Sequence, residues 1–423
     1  MDDQPRILVV ANDVAAAGTL CGGLSQLGFE VTSCTAEQAK AQIIASLPDL
    51  IVSTAEFDQA WAQGVPVLRL IETAEDHSGP YLRADASVLQ IASRAKTLIR
   101  LAVVERIARL RAQDARDFGV NLDDDLKLED DPAILFVGDP SPAFMRIQHS
   151  LASSNVQTIA AFSTFNAFDY LHERAFDAVV LNATKSTDLA YTVCSAMRRN
   201  TRLFHTPAIL LTSDNCQFDI EEAFARGASE LMHESAPGKA LKNQMQALND
   251  ERRRRRMAKI RLESCRNPVL LDQTTDLYNA EFGLSHLDSL LAEHSTSNSA
   301  LTIVGIHADA PQSAGPQQIE RALNQFASML RHCVRAEDFA VRQDSRNFYL
   351  VLPNTGQTGA ETVSSRVAAI SECTAYESAD PRNPFRLDLQ VKIQRANSDN
   401  DAETLVASII QPTTPSKTIA AVV

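Results

Sequence analysis

The chain has 423 residues, 45% of them hydrophobic, 22% charged and 6% aromatic, a composition that fits a soluble globular protein of two or three domains, each with its own core. A formal net charge of −13 disfavours whole-chain attraction to DNA or anionic lipid, so nucleic acid is not an expected partner. The sequence has no apolar run of the roughly 18 residues needed to span a bilayer, no basic flank and apolar stretch of a signal peptide before Ile7, and seven cysteines without a Cys-x-x-Cys pair, which argues against a disulfide framework or a zinc site; a cytoplasmic location is the expectation.

In chain order, Arg6–Val10 reads as a buried strand, Gly18–Leu27 as a helix ending at Gly28, Glu30–Cys34 as a strand and Glu37–Ser46 as a helix. Leu50–Ser53 and Val65–Leu70 read as strands three and four, and a long amphipathic helix covers residues 88 to 113. Strands alternating with helices predict a doubly wound parallel sheet over residues 1–115. The segment between strands four and five is short enough that one helix is expected to be missing. Residues 116–131 are rich in acidic side chains (Asp123, Asp124, Asp125, Glu129, Asp130, Asp131) and read as a solvated linker. The rhythm then restarts over 132–250: Ala133–Val137 mirrors the first strand, Asp177–Leu181 the third and Ala208–Leu211 the fourth, a domain duplication with a period of about 125 residues. Residues 251–271 form a charged stretch containing Arg252–Arg256, read as a solvated interdomain helix, with a contact for an acidic partner or nucleic acid as the alternative. A third domain covers 272–423. His205, His233 and His307 are scattered and read as structural rather than as metal ligands.

Both repeats resemble response-regulator receiver domains, which carry an acidic pair after strand one, an Asp after strand three, a hydroxyl after strand four and a Lys after strand five. That set holds Mg2+, attacks a phosphoryl donor and stabilises the product. In the first repeat Ala11-Asn12 stands at the acidic pair, with Asp13 beside it, Thr54 falls at the phosphoacceptor position and no Lys is evident after strand five. In the second, the pair is Gly138-Asp139, the phosphoacceptor position is Asn182, Thr212 keeps the hydroxyl and Glu234 stands at the Lys. The expectation is two flavodoxin-like receiver folds kept for packing and dimerisation, without phosphorylation; an unorthodox acceptor such as Asp13 or Asp139 is the alternative.

The third domain opens with Asp272-Gln273-Thr274-Thr275-Asp276-Leu277-Tyr278-Asn279. Further on comes Arg335-Ala336-Glu337-Asp338, then five residues, then Asp344-Ser345-Arg346-Asn347-Phe348 and an apolar strand ending in Leu352-Pro353. This frame resembles the GGDEF domains of cyclic-di-GMP cyclases, and in domain order the chain resembles the PleD/PopA-type receiver–receiver–GGDEF proteins, with the non-cyclase members as the better functional match. Measured against that family, the hairpin glycines are replaced by Asp344 and Ser345, which put side chains where the backbone would approach GTP. Arg346 takes the place of a metal-binding carboxylate, and a cation repels Mg2+. Asn347 replaces the acidic residue beside it. The second metal carboxylate, at the end of the preceding strand, is expected at Gly305. Glu320 stands near the guanine-reading position, and Pro412 and Pro415 interrupt the segment that carries phosphate contacts in the family. The resemblance therefore implies no metal, no catalytic residues and no enzyme activity.

What survives is the family's product-binding Arg-x-x-Asp, here Arg335 and Asp338, with Arg366 where a second arginine is placed on the following helix. A guanidinium can donate two hydrogen bonds to guanine O6 and N7 or stack on a base, and Asp338 is expected to accept from the N1 and N2 edge. The resemblance implies a non-catalytic cyclic-di-GMP effector or adaptor that is homodimeric, binds the dinucleotide as a signal rather than as a cofactor, and recruits cell-cycle regulators to the ClpXP protease pathway at a cell pole. A ligand-free dimerisation scaffold and a residual diguanylate cyclase are the alternatives.

Overall fold

A computed structural model describes residues 4–410 other than 16, 63, 73–78, 124–127, 129–130, 153–155, 201, 215–217, 298, 312–313, 379–381 and 398–399, and the backbone alone at 241, 296 and 297. The chain divides into two compact units, one of residues 4–102 and 127–257, the other of 103–126 and the chain from 258 onward. Among the described residues no helix is long and apolar enough to cross a membrane.

The first unit holds two five-stranded parallel sheets. In the first, β1 (Arg6–Val10), α1 (Gly18–Gln26), β2 (Glu30–Cys34), α2 (Ala39–Ser46), β3 (Leu50–Ser53), β4 (Val67–Ile71) and β5 (Tyr81–Arg83) precede the long helix α3 (Val88–Asp117), and the strand order is β2-β1-β3-β4-β5. This is the doubly wound flavodoxin-like order. Central strands buried on both faces read as unbroken apolar runs, and Ile7 to Val10 and Leu50 to Val52 are all buried. Strand β4 alternates instead: Leu68 and Leu70 are buried, while Val67, Arg69 and Ile71 are half-buried. The reason lies in the chain before it, where a single 3₁₀ turn, Gln59–Ala62, takes the place of a helix. The connection from β4 to β5 spans only residues 72–80, as short as expected.

The second sheet comprises β6 (Ala133–Val137), β7 (Gln157–Ala161), β8 (Ala178–Asn182), β9 (Ala208–Thr212) and β10 (Glu230–His233). They are connected through α4 (Pro142–Leu151), α5 (Thr164–Glu173), α6 (Asp188–Arg199) and α7 (Ile220–Ala225), and followed by α8 (Gly238–Ser264). The order is β10-β9-β8-β6-β7, the same topology with every crossover helix in place. Local chemistry sets the helix starts: Ser163 accepts from the Asn166 N–H, Asp219 from those of Glu221 and Glu222, and Pro142 opens α4. Within this unit the two folds are joined by the Tyr81 hydroxyl, which donates to the Ala240 carbonyl at 3.0 Å, and by buried Arg94 of α3 against Glu251 of α8 (Nη1–Oε2, 2.8 Å).

The other unit carries α9 (Ala280–Ser297), β11 (Leu301–Asp309), α10 (Pro316–Cys333), β12 (Phe339–Arg342), β13 (Asn347–Pro353), α11 (Gln357–Cys373), β14 (Asp388–Arg395) and α12 (Ala402–Ile410). Its antiparallel sheet has the order β12-β13-β11-β14, the split βαβ arrangement of a βαββαβ unit. Strand β11 divides its side chains between two cores. Ile303 packs with α9 and α12, while Val304, Ile306 and Ala308 pack with α10 and α11.

Three readings of the sequence change here. Residues 103–115, assigned to the first domain, pack with the third: Val104, Ile107, Ala108, Ala112 and Ala115 continue the apolar stripe of α3 and join Phe282, Leu290 and Tyr349 in one core. The supposed solvated linker begins packed, since Phe118 meets the Phe282 ring edge-on at 5.3 Å and Val120 is buried; Asp124, Asp125, Glu129 and Asp130 lie outside the described residues. The Arg252–Arg256 run is not a uniformly solvated face. It lies within α8, Arg255 is buried, and burial pushes the Arg252 guanidinium down to about 10, with Asp177 opposing. Cys216, Pro412 and Pro415 also lie outside the described residues, and the other six cysteines are free thiols.

Candidate functional site

In the first receiver-type fold Thr54 stands just past the C-terminal end of β3, exposed, its N–H bonded to the Val10 carbonyl at 3.0 Å. Asp13 turns back on its own loop and accepts from the Ala15 N–H at 2.9 Å. In the second fold Asn182 ends β8. Its amide nitrogen reaches the Asp139 carbonyl at 3.4 Å, and its oxygen accepts from the Thr184 hydroxyl at 2.8 Å. Gly138 has φ +136°, and a β-carbon there would stand 2.6 Å from Cβ of Asn182. Thr212 donates its hydroxyl to the Met232 carbonyl at 3.2 Å, and the Glu234 carbonyl is taken by Arg146. Asn182 thus bonds another side chain, through the Thr184 hydroxyl, while Thr54, Asp13 and Thr212 bond to backbone groups.

The third domain's opening motif is structural. Asp272 Oδ1 gathers the Thr274 and Thr275 N–H groups (3.1 and 2.8 Å) and Arg342 Nη1 (3.1 Å). Burial raises the Asp272 carboxyl, but these hydrogen bonds outweigh it and hold it below the usual range. Tyr278 lies along β12, with its N–H on the Ala340 carbonyl and its carbonyl taking the Arg342 N–H (3.0 and 2.9 Å). Asn279 accepts from the Phe282 N–H at 2.9 Å and so opens α9.

The hairpin between β12 and β13 carries Asp344 to Asn347. Asp344 accepts from the Arg346 and Asn347 N–H groups (2.8 and 2.9 Å) and from the Asn347 amide (2.7 Å). Burial pushes its carboxyl up, and those donors, with His307, more than offset the burial. Arg346 extends to Asp309 at the end of β11 (Nη1–Oδ1, 2.6 Å). His307 lies against both partners, 2.7 Å from Asn347 Oδ1 and 3.2 Å from Asp309 Oδ2. The Arg346 guanidinium thus neutralises the acidic group that faces it.

Gly305, expected at the second metal carboxylate's position, lies within β11. The register sets Gly305 opposite Tyr349 and His307 opposite Asn347, so the residues beside the hairpin are His307 and Asp309, and Gly305 lies deeper in the sheet. Its glycine has a packing reason: a β-carbon there would stand 2.5 Å from the Ile409 carbonyl oxygen at the end of α12. His307, read as a scattered structural residue, belongs to this hairpin site. Beside the hairpin, a cleft of about 450 Å³ is lined by Asp272, Asn279, Glu320, Arg342, Asp344 and Ser345. Glu320 lines this cleft, and three carboxylates with one already paired guanidinium make poor company for a triphosphate.

The Arg-x-x-Asp segment is the turn from α10 into β12. Arg335 and Arg366 are both exposed, and Arg366 Nη1 donates to the Cys333 carbonyl at 3.0 Å, which brings α11's arginine to the base of the turn that carries Arg335. Asp338 is different. It is 5% exposed, and its Oδ2 accepts from the Arg335 N–H at 2.8 Å. The buried carboxylate closes its own turn.

Beneath the turn lies a group the sequence did not disclose. Arg111 of α3 is buried, its Nη2 2.8 Å from the Glu337 carbonyl and 3.3 Å from that of Asp338, and its Nη1 3.4 Å from that of Ala336. Its Nε is 3.3 Å from His286 Nε2, and His286 Nδ1 is 2.5 Å from Asp114 Oδ2. Burial pushes the His286 imidazole down to about 4 against the pull of Asp114, so it is neutral, with Nε2 free to accept from Arg111 and Nδ1–H donating to Asp114.

Comparison with known proteins places this geometry. Residues 269–412 match the family described as Diguanylate cyclase, GGDEF domain. The response regulator PleD of Caulobacter vibrioides is 19% identical over 424 aligned residues, covering 94% of this chain and 93% of the relative. Among solved structures, the chain is similar to the GGDEF domain of DgcB from Caulobacter crescentus in complex with c-di-GMP (TM-score 0.32, 13% identity, 34% of this chain and 85% of that one). It is also similar to a response regulator from Chloroflexus aurantiacus (TM-score 0.26, 18% identity, 29% and 99%).

Proposed function

We propose that this receiver–receiver–GGDEF chain is a non-catalytic cyclic-di-GMP effector, in which the dinucleotide binds at Arg335 and Arg366 on a turn capped by Asp338. The observation that carries the reading is the contrast between two places in one domain. On the turn, two guanidiniums stand exposed at one base, suited to forked hydrogen bonding and stacking on guanine. On the hairpin, Arg346 is paired with Asp309, and the Asp344 and Ser345 side chains stand where a backbone would have to approach phosphate. The family match at residues 269–412 supplies the ligand class.

The test is calorimetric titration of cyclic-di-GMP onto the full chain. Each bidentate base contact contributes about 1–3 kcal/mol, so Arg335→Ala should weaken binding roughly tenfold to a hundredfold. Arg335→Lys should not restore it, because an ammonium lacks the planar fork. No heat at tens of micromolar ligand, or wild-type affinity in Arg335→Ala, overturns the reading. The adaptor role, recruitment of cell-cycle regulators for proteolysis at a cell pole, rests on the resemblance to non-cyclase relatives and is read by ligand-dependent capture of such a partner.

A ligand-free dimerisation scaffold is the second reading. It is favoured by three exposed apolar side chains on the second receiver-type fold, Met145 (61%), Phe162 (50%) and Phe165 (73%). Light scattering that shows a dimer abolished by Phe165→Asp, together with a silent titration, would favour it.

A further inference from the structure

We infer that Arg111 is a positioning residue for the ligand turn: from inside the domain its guanidinium fixes the backbone from which Arg335 projects.

A buried cation is costly unless its donors are met. Arg111 is 2% exposed, and its two Nη groups donate to one stretch of backbone, the carbonyls of Ala336, Glu337 and Asp338. Three successive peptides aimed at one planar group restrict the turn's dihedral angles as no single bond does. The aromatic walls add to this, with the guanidinium carbon 5.3 Å from the Phe339 ring centre and 5.7 Å from that of Tyr278. The turn is therefore held from two sides. Asp338 caps it by accepting from the Arg335 N–H, and Arg111 holds its carbonyls from below.

Arg111 is itself held. His286 accepts from its Nε and donates to Asp114, and Asp114 also accepts from the Ser289 hydroxyl at 2.9 Å. Arg111 and Asp114 are three residues apart on α3, as are His286 and Ser289 on α9, the spacing that sets side chains on one helix face. The chain of bonds runs from the turn through Arg111 and His286 to Asp114, and it needs a fork at Arg111 and both an acceptor and a donor at position 286.

For its affinity measurement this inference rests on the ligand reading above; its backbone measurement does not. The experiment pairs cyclic-di-GMP titration with amide hydrogen exchange of segment 335–340 and thermal melts, on the full chain. Arg111→Lys keeps the charge but offers no fork, so it should stay folded, lose affinity about tenfold (roughly 1.4 kcal/mol), and exchange faster at the turn. Arg335→Ala should lose affinity with turn exchange unchanged. His286→Gln, with both an acceptor and a donor, should behave as wild type, whereas His286→Leu should reproduce the Arg111→Lys defects; this pair decides the matter if Arg111→Lys does not fold. Wild-type exchange and affinity in folded Arg111→Lys, or the same behaviour in the two His286 variants, overturns the inference. If the wild type binds no cyclic-di-GMP, the ligand reading falls, and turn exchange in the same variants still decides whether Arg111 holds the backbone.

Discussion

Gly138 and Asn182 fill each other's space. Any side chain at 138 would begin 2.6 Å from Cβ of Asn182, on a backbone with φ +136° that L-residues rarely adopt. The second receiver-type fold thus cannot regain an acidic pair at Gly138 without moving the end of β8. On the receiver resemblance, which puts Asn182 at the phosphoacceptor and Glu234 at the lysine, Asn182→Asp alone should restore the shape of a phosphoacceptor and not its chemistry. No aspartyl-phosphate at position 182 is expected after incubation with acetyl phosphate and Mg2+, read by mass spectrometry; a labelled Asp would show this account wrong. Gly138→Asp should cost about 2–4 kcal/mol in urea unfolding, from strain and overlap together.

The Arg346–Asp309 pair yields a second expectation. Both side chains are more than a third exposed, so the pair contributes at most about 1 kcal/mol, and its loss should leave the fold intact. Arg346→Asp with Asn347→Glu would set new carboxylates against Asp309, and that variant should gain a divalent-ion-dependent rise in Tm that the wild type lacks. Neither protein should convert GTP to cyclic-di-GMP, because Asp344 and Ser345 still line the cleft. Product from the wild type above a no-enzyme control contradicts the effector assignment. A Tm indifferent to Mg2+ and Mn2+ in the variant contradicts the geometry drawn at the end of β11.

Legibility in the sequence followed the range of the interaction. Runs such as Ile7–Val10 and Ala133–Val137 are apolar and buried on both faces, and their repetition disclosed the duplicated fold. The Arg335–Asp338 turn was visible because its spacing to the hairpin is local. The His307–Asn347 pairing was hidden because Leu301–Ile306 has no polar residue after Thr302 to mark where pairing ends; only the register with β13 puts His307 beside Asn347. The division at residue 103 was hidden because α3 carries an apolar stripe along its length, and a stripe does not say which core it enters. Arg111 was invisible for a stronger reason: its partner His286 is 175 residues away, and nothing local distinguishes a buried arginine from a solvated one.

Asp338 and Arg335, neighbours in the motif, should separate on mutation. Asp338 is buried and bonded to the Arg335 N–H, so Asp338→Ala should cost about 1–2 kcal/mol of stability, as the loss of a buried cap does. Asp338→Asn keeps an acceptor and should recover most of it, with ligand affinity within a few-fold of wild type. Arg335 is exposed, and Arg335→Ala should leave the melt unchanged while weakening binding. If Asp338→Asn is as stable as wild type yet binds guanine and adenine cyclic dinucleotides alike, the carboxylate reads the base directly and its assignment as a turn cap is wrong.

The joint between the two receiver-type folds should make stability depend on pH through Glu230. This carboxylate is 1% exposed at the start of β10. Burial pushes it up to about 7, while Arg94, at 3.9 Å, and the Gln90 amide, at 2.5 Å, pull the other way. Burial likewise pushes Arg94 down, but Glu251 and Glu230 more than offset it, so the guanidinium stays charged. The folded state therefore holds a proton on Glu230 that the unfolded chain, with an ordinary carboxyl near 4.5, releases earlier. Between those two values the folded state binds more protons, so unfolding free energy must fall as pH rises and level off above about 7. The full span is up to roughly 3 kcal/mol at 1.36 kcal/mol per unit. Glu230→Gln keeps the shape and cannot titrate, so its stability should lack this decline, and the difference between the two proteins in urea midpoints should grow from pH 5 to pH 7. Burial moves His286 the other way, and its contribution, lost as pH falls below about 6.5 toward 4, is common to both proteins and cancels in the difference. Parallel pH profiles for wild type and Glu230→Gln would mean that Glu230 is ionised throughout and that Arg94 fully compensates its burial.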